Sequence, residues 1–78
     1  MPRFYFHVFN DDTVLDEEGQ ELADLAAAHA CAIREARALM GDTLRTGRIV
    51  LSHHIGIEDD AGNQVCNVTF GEAVEIRP

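Results

Sequence analysis

Strict alternation from Phe4 to Phe9 constrains this chain more than any other feature. Phe4, Phe6 and Val8 alternate with Tyr5, His7 and Phe9, the two-residue period of a β-strand. Four of the five aromatic residues (Phe4, Tyr5, Phe6 and Phe9) fall in this one stretch. A strand with bulky side chains on both sides has two faces to shield. The wholly apolar set belongs against a core, and Tyr5, His7 and Phe9 belong on the other side.

The rest of the chain supplies partners for that strand. Asn10-Asp11-Asp12 is turn chemistry, because Asn and Asp side chains bond their own backbone. Thr13-Val14-Leu15 then returns as a short strand, and Asp16-Glu17-Glu18-Gly19 closes the hairpin. Asp24 suits a helix N-cap. Apolar residues follow at Leu25, Ala28, Ala32, Ile33, Ala36, Leu39, Met40 and Leu44, a 3.6-residue period. Arg34, Arg37 and Arg45 take the far side, and Gly47 suits the stop. Gly41 costs about 1 kcal/mol relative to Ala inside a helix, so a break near Met40 is the alternative to one continuous helix. Ile49-Val50-Leu51 is an extended segment or a packed loop. Ile55 and Ile57 open a second hairpin around Asp59-Asp60-Ala61-Gly62-Asn63. On its return arm Cys66, Val68 and Phe70 share one face, and Val65, Asn67 and Thr69 the other. Val74-Glu75-Ile76 is the candidate for a last edge segment.

The expected fold is a single α+β domain over residues 1–78, in the order β-β-α-β-β. It has an antiparallel sheet of four strands, or five with the terminal segment, and one long helix packed on one face. A lone helix covers only one face of such a sheet. Tyr5, His7 and Phe9 are therefore expected to form an interaction patch on the open face.

Size and charge narrow the function. With 78 residues the core is thin, and a lone core of this size supplies only about 3–5 kcal/mol. Self-association as a homodimer is the expected remedy. Cys31 and Cys66 do not make a secreted disulfide framework and are expected as reduced thiols in the cytoplasm. No apolar run is long enough to span a bilayer and no signal peptide is apparent, so no membrane association is expected. The net charge is −8, with seven of the fourteen acids between Asp11 and Asp24. Such a surface disfavours direct nucleic acid binding. It fits a basic protein partner, met by an acidic surface of Asp11, Asp12, Asp16, Glu17 and Glu18. An acidic inhibitor of a basic nucleic-acid-binding protein is one alternative. The twelve residues Asn10–Glu21 do not match a calcium loop, whose sixth position requires Gly and here holds Leu15.

The histidines offer the other alternative, a small-ligand or metal-binding domain using His7, His53 and His54. Neighbouring residues of an extended chain point oppositely, which weakens His53-His54 as a pair. His29 falls in the apolar arc of the helix and is expected half-buried at the sheet margin. Cys31 falls on the outward side, and Cys66 near the core. No nucleophile, base and orienting group can be assembled. The expectation is a non-enzymatic interaction module with no catalytic residue and no cofactor.

The opening Met1-Pro2-Arg3-Phe4-Tyr5-Phe6-His7 resembles a family of short, uncharacterised bacterial proteins, a domain of unknown function. The likeness continues through Asp16-Glu17-Glu18-Gly19, Glu21-Leu22-Ala23-Asp24-Leu25, Asp60-Ala61-Gly62 and Phe70-Gly71-Glu72-Ala73-Val74. The resemblance implies a bacterial, cytosolic, stand-alone protein. That family brings no activity, so no residue inherits a role from it, and His53-His54 departs from its pattern.

Overall fold

The computed structural model describes all 78 residues. The first strand, β1 (Arg3–Phe9), and a later one, β4 (His54–Asp59), form the middle of an antiparallel sheet. On the outer side of β1 lie two two-residue strands, β2 (Thr13–Val14) and β3 (Gln20–Glu21); on the outer side of β4 lies β5 (Gln64–Thr69). An Asx turn, with the Asp12 amide donating to Asn10 Oδ1 at 3.1 Å, sends β1 back into β2.

One helix, α1 (Leu25–Leu44), covers the sheet and runs unbroken through Gly41. Asp24 Oδ1 accepts from the Ala27 amide at 2.8 Å, an N-cap worth about 1 kcal/mol. Gly47, at φ 78°, ends the last turn, where its amide reaches the Leu44 carbonyl at 2.9 Å. The buried stripe is Ala28, Ala32, Ala36 and Met40. Three methyl-sized side chains in a row let the helix lie close on the sheet, against Phe4, Ile55, Ile57, Val68 and Phe70. Its principal sheet contacts are with β4 and β5. That offset leaves the β1–β2 side only partly roofed. Only ten hydrophobic residues are buried, so the core is as thin as the length implies.

Three sequence expectations need correction. The fifth strand is not Val74–Ile76 but β3, whose Gln20 and Glu21 pair with Phe4 and Arg3. Phe70 turns αR (φ −61°, ψ −35°) into a 3₁₀ turn over Gly71–Ala73, and the tail beyond it leaves the sheet. Val65 does not face away from the core. The register slips between Ile57 and Glu58, and both Val65 and Cys66 pack on the core side. His29 is exposed, not half-buried, because the buried stripe is narrower than the apolar arc. Of the two readings of Ile49-Val50-Leu51 the structure selects the loop, with Val50 half-buried and Ile49 and Leu51 exposed.

Candidate interaction surfaces

Register places the open-face side chains. Tyr5 lies opposite Glu58, His7 opposite Gly56 and Phe9 opposite His54. The missing side chain at Gly56 leaves room for the Phe9 ring, which a Cβ there would meet at 3.2 Å. That ring also stacks on His54, with centroids 4.8 Å apart and planes 21° from parallel. The Tyr5 hydroxyl points to Asp60 Oδ1 at 3.4 Å. All three are half-buried. The face expected to await a partner is partly tiled by contacts within the chain.

His7 is held from two sides. Its Nδ1 accepts the Asp16 amide at 3.0 Å. The other ring nitrogen, Nε2, faces Glu58 Oε2 at 3.6 Å. Only 15% of the side chain is exposed.

Asp16 explains why β2 and β3 can be two short pieces. Between them Tyr5, Phe6 and His7 have no strand partner on that edge, and the chain bulges outward over 15–19. The Asp16 carboxylate fills the gap. Its Oδ2 accepts the Phe6 amide at 3.1 Å, and its Oδ1 accepts the amides of Glu18 and Gly19 at 3.1 and 3.0 Å. Partial burial is the largest influence on its acidity and acts upward. The three amide bonds and the facing His7 together outweigh it and hold the carboxyl below the ordinary aspartate value. Of the expected acidic surface, Asp16 is thus turned to structural use, while Asp11, Asp12, Glu17 and Glu18 are exposed.

The remaining histidines do not join His7. His53 sets its ring edge-on to Phe70 at 5.8 Å, with Nε2 3.8 Å from Asp11 Oδ1. Arg48 grips the same carboxylate with both terminal nitrogens, at 3.1 and 3.2 Å. These contacts tie the first hairpin turn to the loop after α1. His7, His53 and His54 therefore lie in three separate settings, and no group of three or more His, Cys, Asp or Glu is placed to hold a metal ion.

The largest exposed apolar area lies elsewhere. Leu44, Ile49, Leu51, Val74 and Ile76 are five of the nine exposed large hydrophobics, and all five line one groove of about 630 Å³ at the C-terminal end of α1. Its polar rim is Arg37, Glu75 and Arg77. Arg37 Nε also donates to the Ala73 carbonyl at 2.7 Å, pinning the tail beside the helix.

A model of the family described as Domain of unknown function (DUF6894) matches residues 3–71. The chain belongs to this family. No curated protein and no solved structure matches it. The match to DUF6894 takes in the whole sheet, the helix and the Asp16 loop, whereas Val74 and Ile76 lie beyond it. No helix is long and apolar enough to cross a membrane.

Sequence reasoning misses the groove. Its residues are visibly apolar, but the pattern assigns each to other work: Leu44 to the helix stripe, Ile49 and Leu51 to a segment, Val74 and Ile76 to an edge strand. The signal lies in the tail. Gly71 and the acid of Glu72 break the alternation, and the residues after them cannot continue β5.

Proposed function

We propose that this domain is a non-enzymatic interaction module that self-associates through the groove at the end of α1. One observation carries the proposal: the largest exposed apolar area coincides with a rim that carries no net negative charge. Arg37 and Arg77 outnumber Glu75 there, on a chain whose net charge is −8. Two copies meeting through the acid-rich stretch from Asp11 to Asp24 would bring acid against acid; here they do not. A second copy is therefore the occupant that the charge pattern favours.

Magnitudes set the strength. Two copies would cover ten half-exposed aliphatic side chains, at about 1 kcal/mol each. Association itself costs roughly 4–15 kcal/mol. A weak dimer is expected, with Kd in the micromolar to millimolar range. The non-catalytic reading is supported by the use of the histidines, since His7, His53 and His54 each spend their contacts on backbone, carboxylate or ring within the chain. Two unpaired cysteines suit a reducing compartment, and we place the module in the cytoplasm.

Sedimentation equilibrium between about 10 µM and 1 mM spans the expected Kd. The mass average should rise with concentration, and L44E with I76E should hold it at one chain. A wild type that stays monomeric throughout would overturn the proposal. So would a dimer dissolved by Y5S or F9S and untouched by the groove variants, which would move the interface to the sheet face.

A further inference from the structure

We propose that a second groove, on the opposite flank of α1, docks a basic amphipathic segment of another protein. It lies where the offset helix leaves the β1–β2 side unroofed and has a volume of about 510 Å³. Phe6, Val8, Val14 and Leu15 give it an apolar lining, and Leu15 is 61% exposed. Glu17 and Glu18 stand on one side and Glu35 of α1 on the other; no Lys, Arg or His lines it.

The chemistry of the occupant rests on two features taken together. None of those three carboxylates makes an ion pair: the ion pairs of the chain fall on Glu21, Glu58, Asp11 and Glu75. The nearby Arg3 is directed to the Glu18 carbonyl and to Glu21. An apolar floor alone would suit any hydrophobe, and free acids alone any cation. A small inorganic or polyamine cation leaves the floor wet, and an uncharged apolar ligand leaves the acids uncompensated. A segment with aliphatic side chains on one side and Arg or Lys flanking them answers both. The surface is separate from the self-association groove, so either proposal can fail without the other.

The test is titration of a labelled amphipathic Leu/Arg peptide into the intact chain, beside a scrambled peptide of the same composition and a Leu/Glu counterpart. The ordered basic peptide should bind at least tenfold tighter than either. Binding should weaken about tenfold in the triple variant E17Q/E18Q/E35Q, the sum expected of three exposed pairs, and also in L15S. It should survive D12N/D42N/D60N, which removes equal charge outside the groove. Equal loss in both triple variants would mean diffuse attraction and overturn the proposal. Unchanged binding in L15S, full competition by spermine, or no binding of the peptide would do the same.

Discussion

Asp16 accepts more backbone amides than any other side chain in the chain. Three backbone amides converge on its carboxylate and its own amide donates to His7, so D16A leaves three donors to find water at a partly covered edge. We expect a loss of about 1–2 kcal/mol by urea denaturation, and a smaller loss for D16N, which keeps Oδ1 as an acceptor. Because the folded state lowers this pKa, the contribution is full above the ordinary aspartate value and disappears as pH falls through the folded one. Acid titration of D16N should therefore lose part of the wild-type decline; identical acid profiles would refute the assignment. Gly19 is the companion constraint. At φ 72° it sits in the left-handed region, and an added Cβ would meet Tyr5 Cε1 at 2.9 Å and the Phe4 carbonyl at 3.0 Å. G19A should cost more than about 1 kcal/mol, and a neutral result would mean the loop relaxes freely. The sequence marks Asp16–Gly19 as a turn, but it does not show that the first acid points inward. Which amide a loop carboxylate meets depends on where the ladder of β1 is interrupted, and that is decided by pairing between distant residues.

The elements differ in how openly they are written. Helix α1 is legible because cap, stripe and terminal glycine agree over twenty residues. Its continuity through Gly41 comes from length: one poor residue does not outweigh the turns packed on either side. G41A should raise stability by about 0.5–1 kcal/mol, since a Cβ there meets no atom within 4 Å; a fall in the thermal midpoint would contradict that. Enlarging the buried face has the opposite sign. A32L forces a side chain between helix and sheet at a fully buried position and should cost about 1–3 kcal/mol. The strand β3 is not legible, for Gln20 and Glu21 are both exposed, and no apolar side chain anchors them: they are held by backbone pairing, the Arg3–Glu21 ion pair and a Cys31–Gln20 contact. The far edge is finished by a device like that at Asp16. Glu72 Oε1 accepts the Thr69 amide at 2.7 Å, while the Glu72 amide donates to Thr69 Oγ1 at 3.3 Å. This is the reciprocal geometry of a capping box. Each side of the sheet thus has a carboxylate seated on a strand amide, Asp16 on Phe6 of β1 where β2 and β3 leave it unpaired and Glu72 on Thr69 of β5, which blunts the sheet against extension by a foreign strand.

For the molecule as a whole, charge and shape act together. The alternation of β1 correctly announces a two-faced sheet, and the helix count correctly leaves one face without a helix. Which apolar residues stay wet is not written in the sequence, because that depends on the helix lying over β4 and β5 and on the tail folding back beside it. The same geometry makes self-repulsion global. The body measures 40 × 24 × 16 Å and carries eight uncompensated negative charges. At about 20 mM salt the Debye length is roughly 20 Å, longer than the thin axis, so acids on opposite surfaces still feel one another; near 0.5 M it falls to about 4 Å. Unfolding moves those charges apart, and low salt therefore favours the unfolded chain. The exposed pairs Arg48–Asp11 and Arg77–Glu75 lose attraction over the same range, but such pairs contribute only about 0–1 kcal/mol each. Repulsion should win. Sodium chloride, chosen over sulfate to avoid strengthening apolar burial, should raise the thermal midpoint by several degrees between those two concentrations, measured at neutral pH and at a protein concentration low enough to keep the chain monomeric. A midpoint that falls with salt would mean that the arginine pairs, few as they are, outweigh the excess of acids.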